Sequence, residues 1–334
     1  MFDDSRLESP ELTDSETLRW LATAGARIRR AAQTRPIGHL DRADRPRGIL
    51  VLGTEARLVR AVLEPACPVP FMAWPGPGLP AWVGPLDLAV VLGDHDSPEW
   101  VLQCAGEAAR RGASLIVAAP EDSALAGAIA GFSGASLIPT LDSDPMAAAV
   151  AVLAQLGGLG LGPVVHPEQV AEAADLVAEI CGPSSDLSEN PGKALALELA
   201  DSLPLVWGGT VLAARASRRI AEACRRASGR PALAADASEL SGLLRAIPER
   251  DLFADPVDDG ADVRPALVML DDELLPGRLR DTAAGLIRQA ESVGVRVTRI
   301  SSGPEELEAT AIERYVTLLQ RGLYGAAYLE IGLS

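Results

Sequence analysis

Lysine is nearly missing from this chain: of its 30 basic residues only Lys193 is lysine, and the rest are arginine. Any chemistry that needs an amine must use Lys193 or another chain. Histidine is almost as scarce, with only His39, His95 and His166, so no imidazole exists downstream of residue 166. The four cysteines, Cys67, Cys104, Cys181 and Cys224, lie far apart with no Cys-x-x-Cys pair, and they read as packed thiols rather than metal or redox groups. Positive charge is outnumbered, 30 against 46 acidic residues, for a net charge of −16. A surface of that sign repels nucleic acid and anionic membrane, so neither is expected as a partner. It also disfavours anionic substrates unless backbone amides or arginines override the field locally. The one membrane-like stretch, Met146 to Val165, contains Gln155 and is broken at Gly157, Gly158 and Gly160; it reads as a buried helix plus a linker. The opening Met1-Phe2-Asp3-Asp4 is acidic and has no apolar core, which does not fit a signal peptide and points to the cytoplasm.

At 334 residues and 48% hydrophobic, the chain is long enough for two domains with full cores. Thr13 to Ala32 reads as one amphipathic helix, with Thr13 and Glu16 at capping-box spacing. Short apolar runs then alternate with helical patterns. Gly48 to Leu52, Val69 to Trp74, Leu86 to Leu92, Ser114 to Ala119 and Ser136 to Pro139 are expected strands, with helices between and a last one from Pro145 to Leu156. The alternation restarts after Gly157 to Pro163, with strands expected at Leu205 to Trp207, Ala232 to Ala235, Arg264 to Leu270 and Val295 to Ile300. Ser302 is expected to cap a final helix from Pro304 to about Tyr328. Strands spaced by helices imply parallel sheets covered on both faces. Segments 50–64 and 205–223 each read as a buried strand, a Gly/Thr turn and a basic helix. Two copies of one α/β sandwich explains this economically, and chance likeness between generic α/β units is the alternative. The expected division is an N-terminal helix and linker at 1–47, a first domain at 48–157 and a second at 158–334.

Three places could carry chemistry. Gly208-Gly209-Thr210 joins a strand to a helix, whose first amides and partial positive charge suit a phosphate; it is otherwise a tight structural turn. Gly93-Asp94-His95-Asp96-Ser97-Pro98 follows a strand's carboxyl end, where α/β proteins bind ligands. Its two carboxylates favour a cation over a phosphate, or else Asp96 or Ser97 caps the next helix. His95 is the one histidine with acidic neighbours, a weak metal candidate, while His39 and His166 read as solvated linker residues. Asn190-Pro191-Gly192-Lys193 opens a helix with Asn190 as cap, and Ser238 is expected to cap another with Glu239 early in it. Asp255 to Asp262 reads as a solvated loop.

The order of these pieces, with "NPGKALALELADSLPLVWGG", "PALAADASELSGL" and "ALVMLDDE", resembles the bacterial and archaeal phosphoglucose/phosphomannose isomerases, which carry two sugar-isomerase (SIS) domains. The likeness is nearest to their TobH-like branch of high-GC bacteria, spans nearly the whole chain and is strongest from Glu189 to Leu243. It implies an α/β fold of two flavodoxin-like, three-layer α/β/α SIS domains with parallel sheets, a homodimer, no cofactor, no metal, and a sugar phosphate as ligand. Mapped residue by residue, the family's first Gly-rich turn falls on Leu52-Gly53-Thr54-Glu55, and its hydroxyl-rich phosphate loop on Leu92 to Ser97. An arginine of the family falls near Met146. Its catalytic glutamate stretch falls on Arg226-Ala227-Ser228-Gly229 and its ring-opening histidine on Gly242; its late lysine is missing. Asn190-Pro191, Lys193, Gly208-Gly209 and Glu239-Leu240 survive. Isomerisation needs a ring opener, a base and charge stabilisation for the enediolate. The resemblance therefore implies a catalytically degenerate sugar-phosphate sensor or partner in hexose-phosphate and mannose metabolism. The alternative is an active isomerase in which Glu239 is the base and His95 or His166 of a second subunit opens the ring. The substrate-binding candidates are Gly53, Thr54, Ser97, Lys193, Gly208, Gly209, Thr210 and Glu239, with Glu239 the sole catalytic candidate.

Overall fold

A computed structural model describes residues 2–38, 45–141, 143–247, 264–303 and 308–334. His39, Asp255 to Asp262 and Pro304 lie outside the described residues. The chain opens with two 3₁₀ turns, Asp4–Glu8 and Pro10–Asp14, then helices α1 (Glu16–Ala22) and α2 (Ala24–Gln33). The single helix expected from Thr13 to Ala32 is thus two. Ser15, not Thr13, caps α1 by accepting from Leu18 N, while Thr13 Oγ1 donates to Pro10 O at 2.9 Å. Thr23 ends α1 because its hydroxyl bonds back to the Arg19 and Trp20 carbonyls, a local competition that weakens helix continuation. Thr23 is also the boundary between two compact units, Ala24–Glu172 and Met1–Thr23 with Ala173–Ser334.

The unit Ala24–Glu172 is built on five parallel strands: β1 (Ile49–Gly53), β2 (Phe71–Ala73), β3 (Leu88–Leu92), β4 (Ser114–Ala119) and β5 (Ala135–Pro139). Between them run α3 (Ala56–Leu63), α4 (Glu99–Arg110) and α5 (Ala124–Ala128), followed by α6 (Pro145–Gly158). The order β2-β1-β3-β4-β5 is the flavodoxin-like winding. Leu50, Leu52, Val91, Leu115 and Val117 form one core cluster with Val101, Cys104 and Ala105 of α4. Their unbroken apolar runs have the composition that strands covered on both faces require. Asp144 caps α6 through the amides of Met146 and Ala147 and meets Arg27 of α2 in a buried ion pair, Nε to Oδ2 2.6 Å.

Helix α7 (Pro167–Cys181) leads into the other unit, which holds α8 (Pro191–Leu199), β6 (Ser202–Gly208), α9 (Val211–Ser228), β7 (Leu233–Ala234), α10 (Ala237–Ala246), β8 (Arg264–Asp271), α11 (Gly277–Ser292), β9 (Arg296–Ser301) and α12 (Ala311–Leu333). The four strands are parallel in the order β7-β6-β8-β9. The first strand of each sheet therefore lies between the second and third, the same winding in both units. Leu205, Trp207, Leu267 and Met269 pack with Leu240, Leu244 and Leu286. Two expected caps move. Thr310, not Ser302, caps α12 in a capping box with Glu313; Ser302 instead accepts from Arg314. Asp236, not Ser238, precedes α10, with Glu239 Oε2 accepting from Asp236 N at 3.4 Å. Among the described residues no helix is long and apolar enough to cross a membrane.

Candidate functional sites at the two switch points

In a doubly wound sheet the ligand position is the crevice beyond the carboxyl ends of the two strands where the winding reverses. Each sheet here has one such point, between β1 and β3 in the first unit and between β6 and β8 in the second. They are furnished differently.

The second is closed by the protein itself. Gly208 sits where α9 approaches β6 so tightly that an added Cβ would lie 2.3 Å from the Ala213 backbone carbon. At Gly209 the same atom would lie 2.3 Å from Leu275. Both glycines are thus required by packing. Thr210 caps α9, its Oγ1 accepting from Ala213 N at 3.1 Å. The hydroxyl proton goes across the switch point to Oδ2 of Asp272, which follows β8 and is 3% exposed. Asp272 Oδ1 accepts from Leu274 N. A buried carboxylate therefore stands at the α9 N-terminus, where the helix favours negative charge. Thr210 is marked in the sequence by the glycines before it, whereas Asp272, 62 residues away, carries no local signal.

The first switch point is an open cleft lined by Thr54, Gly93, Asp94, Thr140, Ser143, Asp144, Pro145 and Ala148. Gly53 has φ +94°, and an added Cβ would meet Leu92 O at 1.8 Å. That close approach lets Thr54 N bond Leu92 O at 3.0 Å and draws the β1 and β3 ends together. Neither Asp96 nor Ser97 caps α4; Pro98 precedes it without a side-chain cap. The turn instead closes on itself. Ser97 Oγ accepts from Asp94 N at 2.8 Å, and Asp94 Oδ1 accepts from Asp96 N at 3.0 Å and from Ser97 Oγ at 3.3 Å. The amides of Asp94, Asp96 and Ser97 are engaged inside the turn, and Glu99 places a further carboxylate in the first turn of α4.

These sheets and windings place the chain among known folds. It shares the sugar-phosphate isomerase fold. A glucose-6-phosphate isomerase-like protein from Thermus thermophilus aligns at 19% identity over 99% of this chain and 93% of that one, with a TM-score of 0.57. The C-terminal domain of glucosamine-fructose-6-phosphate aminotransferase from Francisella tularensis aligns at 11% identity over 95% and 94%, TM-score 0.62. Glucosamine-6-phosphate deaminase from Thermotoga maritima aligns at 12% identity over 97% and 94%, TM-score 0.60. No family model and no curated protein matches the chain by sequence. The likeness establishes two SIS-like, flavodoxin-type α/β domains.

The remaining site candidates have structural partners. Lys193 is 2% exposed; its Nζ donates to Ser185 O at 2.8 Å and Pro183 O at 3.1 Å and lies 5.7 Å from the Tyr328 ring. Burial pushes its pKa below the ordinary lysine value, with Glu8 and Asp186 pulling the other way. The Asn190 cap is as expected, Oδ1 accepting from the amides of Gly192 and Lys193. Glu239 is exposed on the first turn of α10. At Gly242, inside α10, an added Cβ would meet nothing within 4 Å; space for a side chain exists there. His95 and His166 are exposed, and His95 Nε2 lies 3.6 Å from Asp122. Among the described residues no group of three or more His, Cys, Asp or Glu is arranged to hold a metal.

Proposed function

We propose that this chain is a catalytically degenerate protein of the phosphoglucose/phosphomannose isomerase type. It acts as a ligand sensor or partner in hexose-phosphate and mannose metabolism, as a cytoplasmic homodimer, and binds hexose phosphates weakly. Gly53, Thr54 and Ser97 shape its ligand position in one unit, and Gly208, Gly209 and Thr210 mark the corresponding position in the other. Lys193 and Glu239 serve the scaffold, through the 183–185 carbonyls and the α10 cap. The observation that carries the reading is the Asp272 carboxylate hydrogen-bonded to Thr210 at the start of α9, where a phosphate would otherwise meet free amides. It agrees with the missing histidine and lysine downstream of residues 166 and 193.

A thermal-unfolding screen against glucose, fructose and mannose 6-phosphates tests it. A ligand held at 100 times its dissociation constant stabilises by about 2.7 kcal/mol. The reading expects small shifts that require millimolar ligand. Micromolar affinity lost on Thr210→Val would overturn the weak-binding reading.

A further inference from the structure

We propose that the open cleft at the β1/β3 switch point is a binding site for the ammonium group of a small hydroxylated amine, with Asp94 and Thr140 as its principal partners. Three observations carry this. Asp94 Oδ1 is engaged within its own turn, while Oδ2 has no hydrogen bond among the described residues and the carboxylate has no basic partner. Asp144, the other carboxylate of the lining, is neutralised by Arg27 at 2.6 Å. Among the described residues the cleft therefore carries one uncompensated negative charge. Thr140 is 6% exposed and lines the same cleft. Its amide is satisfied by Ala119 O at 3.1 Å, yet its hydroxyl has no partner among the described residues. The hydroxyl is not sealed from solvent, so a group held in the cleft can reach it.

The size and donor set choose the ligand. The cleft is open to solvent and offers about 10 Å³, room for one water-sized group. An ammonium carries three donors and no acceptor. Asp94 Oδ2, Thr140 Oγ1 and the exposed Ser143 Oγ supply three acceptors, one of them charged. A phosphate is larger, acceptor-rich and of the wrong sign. A divalent metal takes six or more oxygens and favours several carboxylates, and among the described residues only one uncompensated carboxylate lines the cleft. The assignment deepens the proposed function and rests on it for the hydroxylated body of the ligand; the ammonium rests on the cleft alone.

Calorimetry on the full chain with glucosamine and glucose, a pair differing in one ammonium for one hydroxyl, is the test, at a pH where the amine is protonated. Glucosamine should bind at least about tenfold more tightly than glucose. Asp94→Asn and Thr140→Val should each weaken it about tenfold, the scale of one charged hydrogen bond, with both variants keeping wild-type unfolding transitions. Equal affinity for the two sugars overturns the assignment, as does glucosamine binding indifferent to both substitutions. Magnesium, calcium or potassium chloride that binds through Asp94 without being displaced by glucosamine also overturns it, in favour of an inorganic cation. Glucose 6-phosphate bound in preference to glucosamine overturns the assignment and leaves the broader carbohydrate reading standing.

Discussion

Asp272→Ala strikes the closed switch point directly. The substitution removes a buried acceptor from Thr210 Oγ1 and another from Leu274 N. Hydrogen bonds to a charged group are worth about 1.5–3 kcal/mol net. A partly buried anion at a helix N-terminus adds up to about 2 kcal/mol. A loss of about 3 kcal/mol is expected, which for a unit of this size lowers the unfolding midpoint by about 6–12 °C. Asp272→Asn keeps an acceptor and removes only the charge, so about 1 kcal/mol should be lost. Urea unfolding monitored by circular dichroism measures both. The functional half of the prediction concerns phosphate. With the carboxylate gone, the first amides of α9 should accept inorganic phosphate, and phosphate should stabilise Asp272→Ala while leaving the wild type unchanged. An Asp272→Ala loss below about 0.5 kcal/mol, or equal phosphate stabilisation of both proteins, would show that Asp272 does not close this switch point.

Other substitutions probe the frame. Arg27→Met should cost about 3–5 kcal/mol, because it strands the buried Asp144 carboxylate; equilibrium denaturation with a wild-type m-value checks it. Gly208→Ala should cost 2 kcal/mol or more, on the order of an overpacked core, since its Cβ would meet backbone 2.3 Å away. Gly242→Ala, with open space around it, should stabilise by up to about 1 kcal/mol. Buried acids contribute to the alkaline limb of stability: burial raises Cys181 from 9.0 to about 11 and Cys224 from 9.0 to about 12, and raises the Tyr324 and Tyr328 phenols as well. An acid whose folded pKa is raised contributes fully below its unfolded value and loses that contribution as pH climbs through the folded one. Stability should hold to about pH 9 and then fall towards pH 12, with a shallower fall in Cys224→Ala; an unchanged slope in that variant would contradict this.

What was legible in the residues was whatever is written locally. Ile49 to Leu52 and Leu88 to Leu92 are apolar without alternation, and both are fully buried. The cap at Asn190 follows from the residue type just before a helical run, and the tight turn at Gly208-Gly209-Thr210 from glycines between a strand and a helix. What was not legible is the pairing across distance. Asp272 meets Thr210 across 62 positions, and Arg27 meets Asp144 across 117. Arg27 is one of 29 arginines with nothing local to distinguish it. Thr23 and Ser97 were misjudged for a different reason. Each spends its hydroxyl on nearby backbone in a way that competes with the helix start or continuation that its type suggests. The acidic turn at Asp94 lies at a strand's carboxyl end as expected, but Thr140, which lines the same cleft, follows β5 46 residues later.

The proposed degeneracy leaves an isomerase-like body without the groups that move protons. Incubating the purified chain with fructose 6-phosphate and following glucose 6-phosphate and mannose 6-phosphate tests it most directly. No turnover above the uncatalysed rate is expected across neutral pH. Conversion at ordinary enzymatic rates, about 1–10³ s⁻¹, would contradict it.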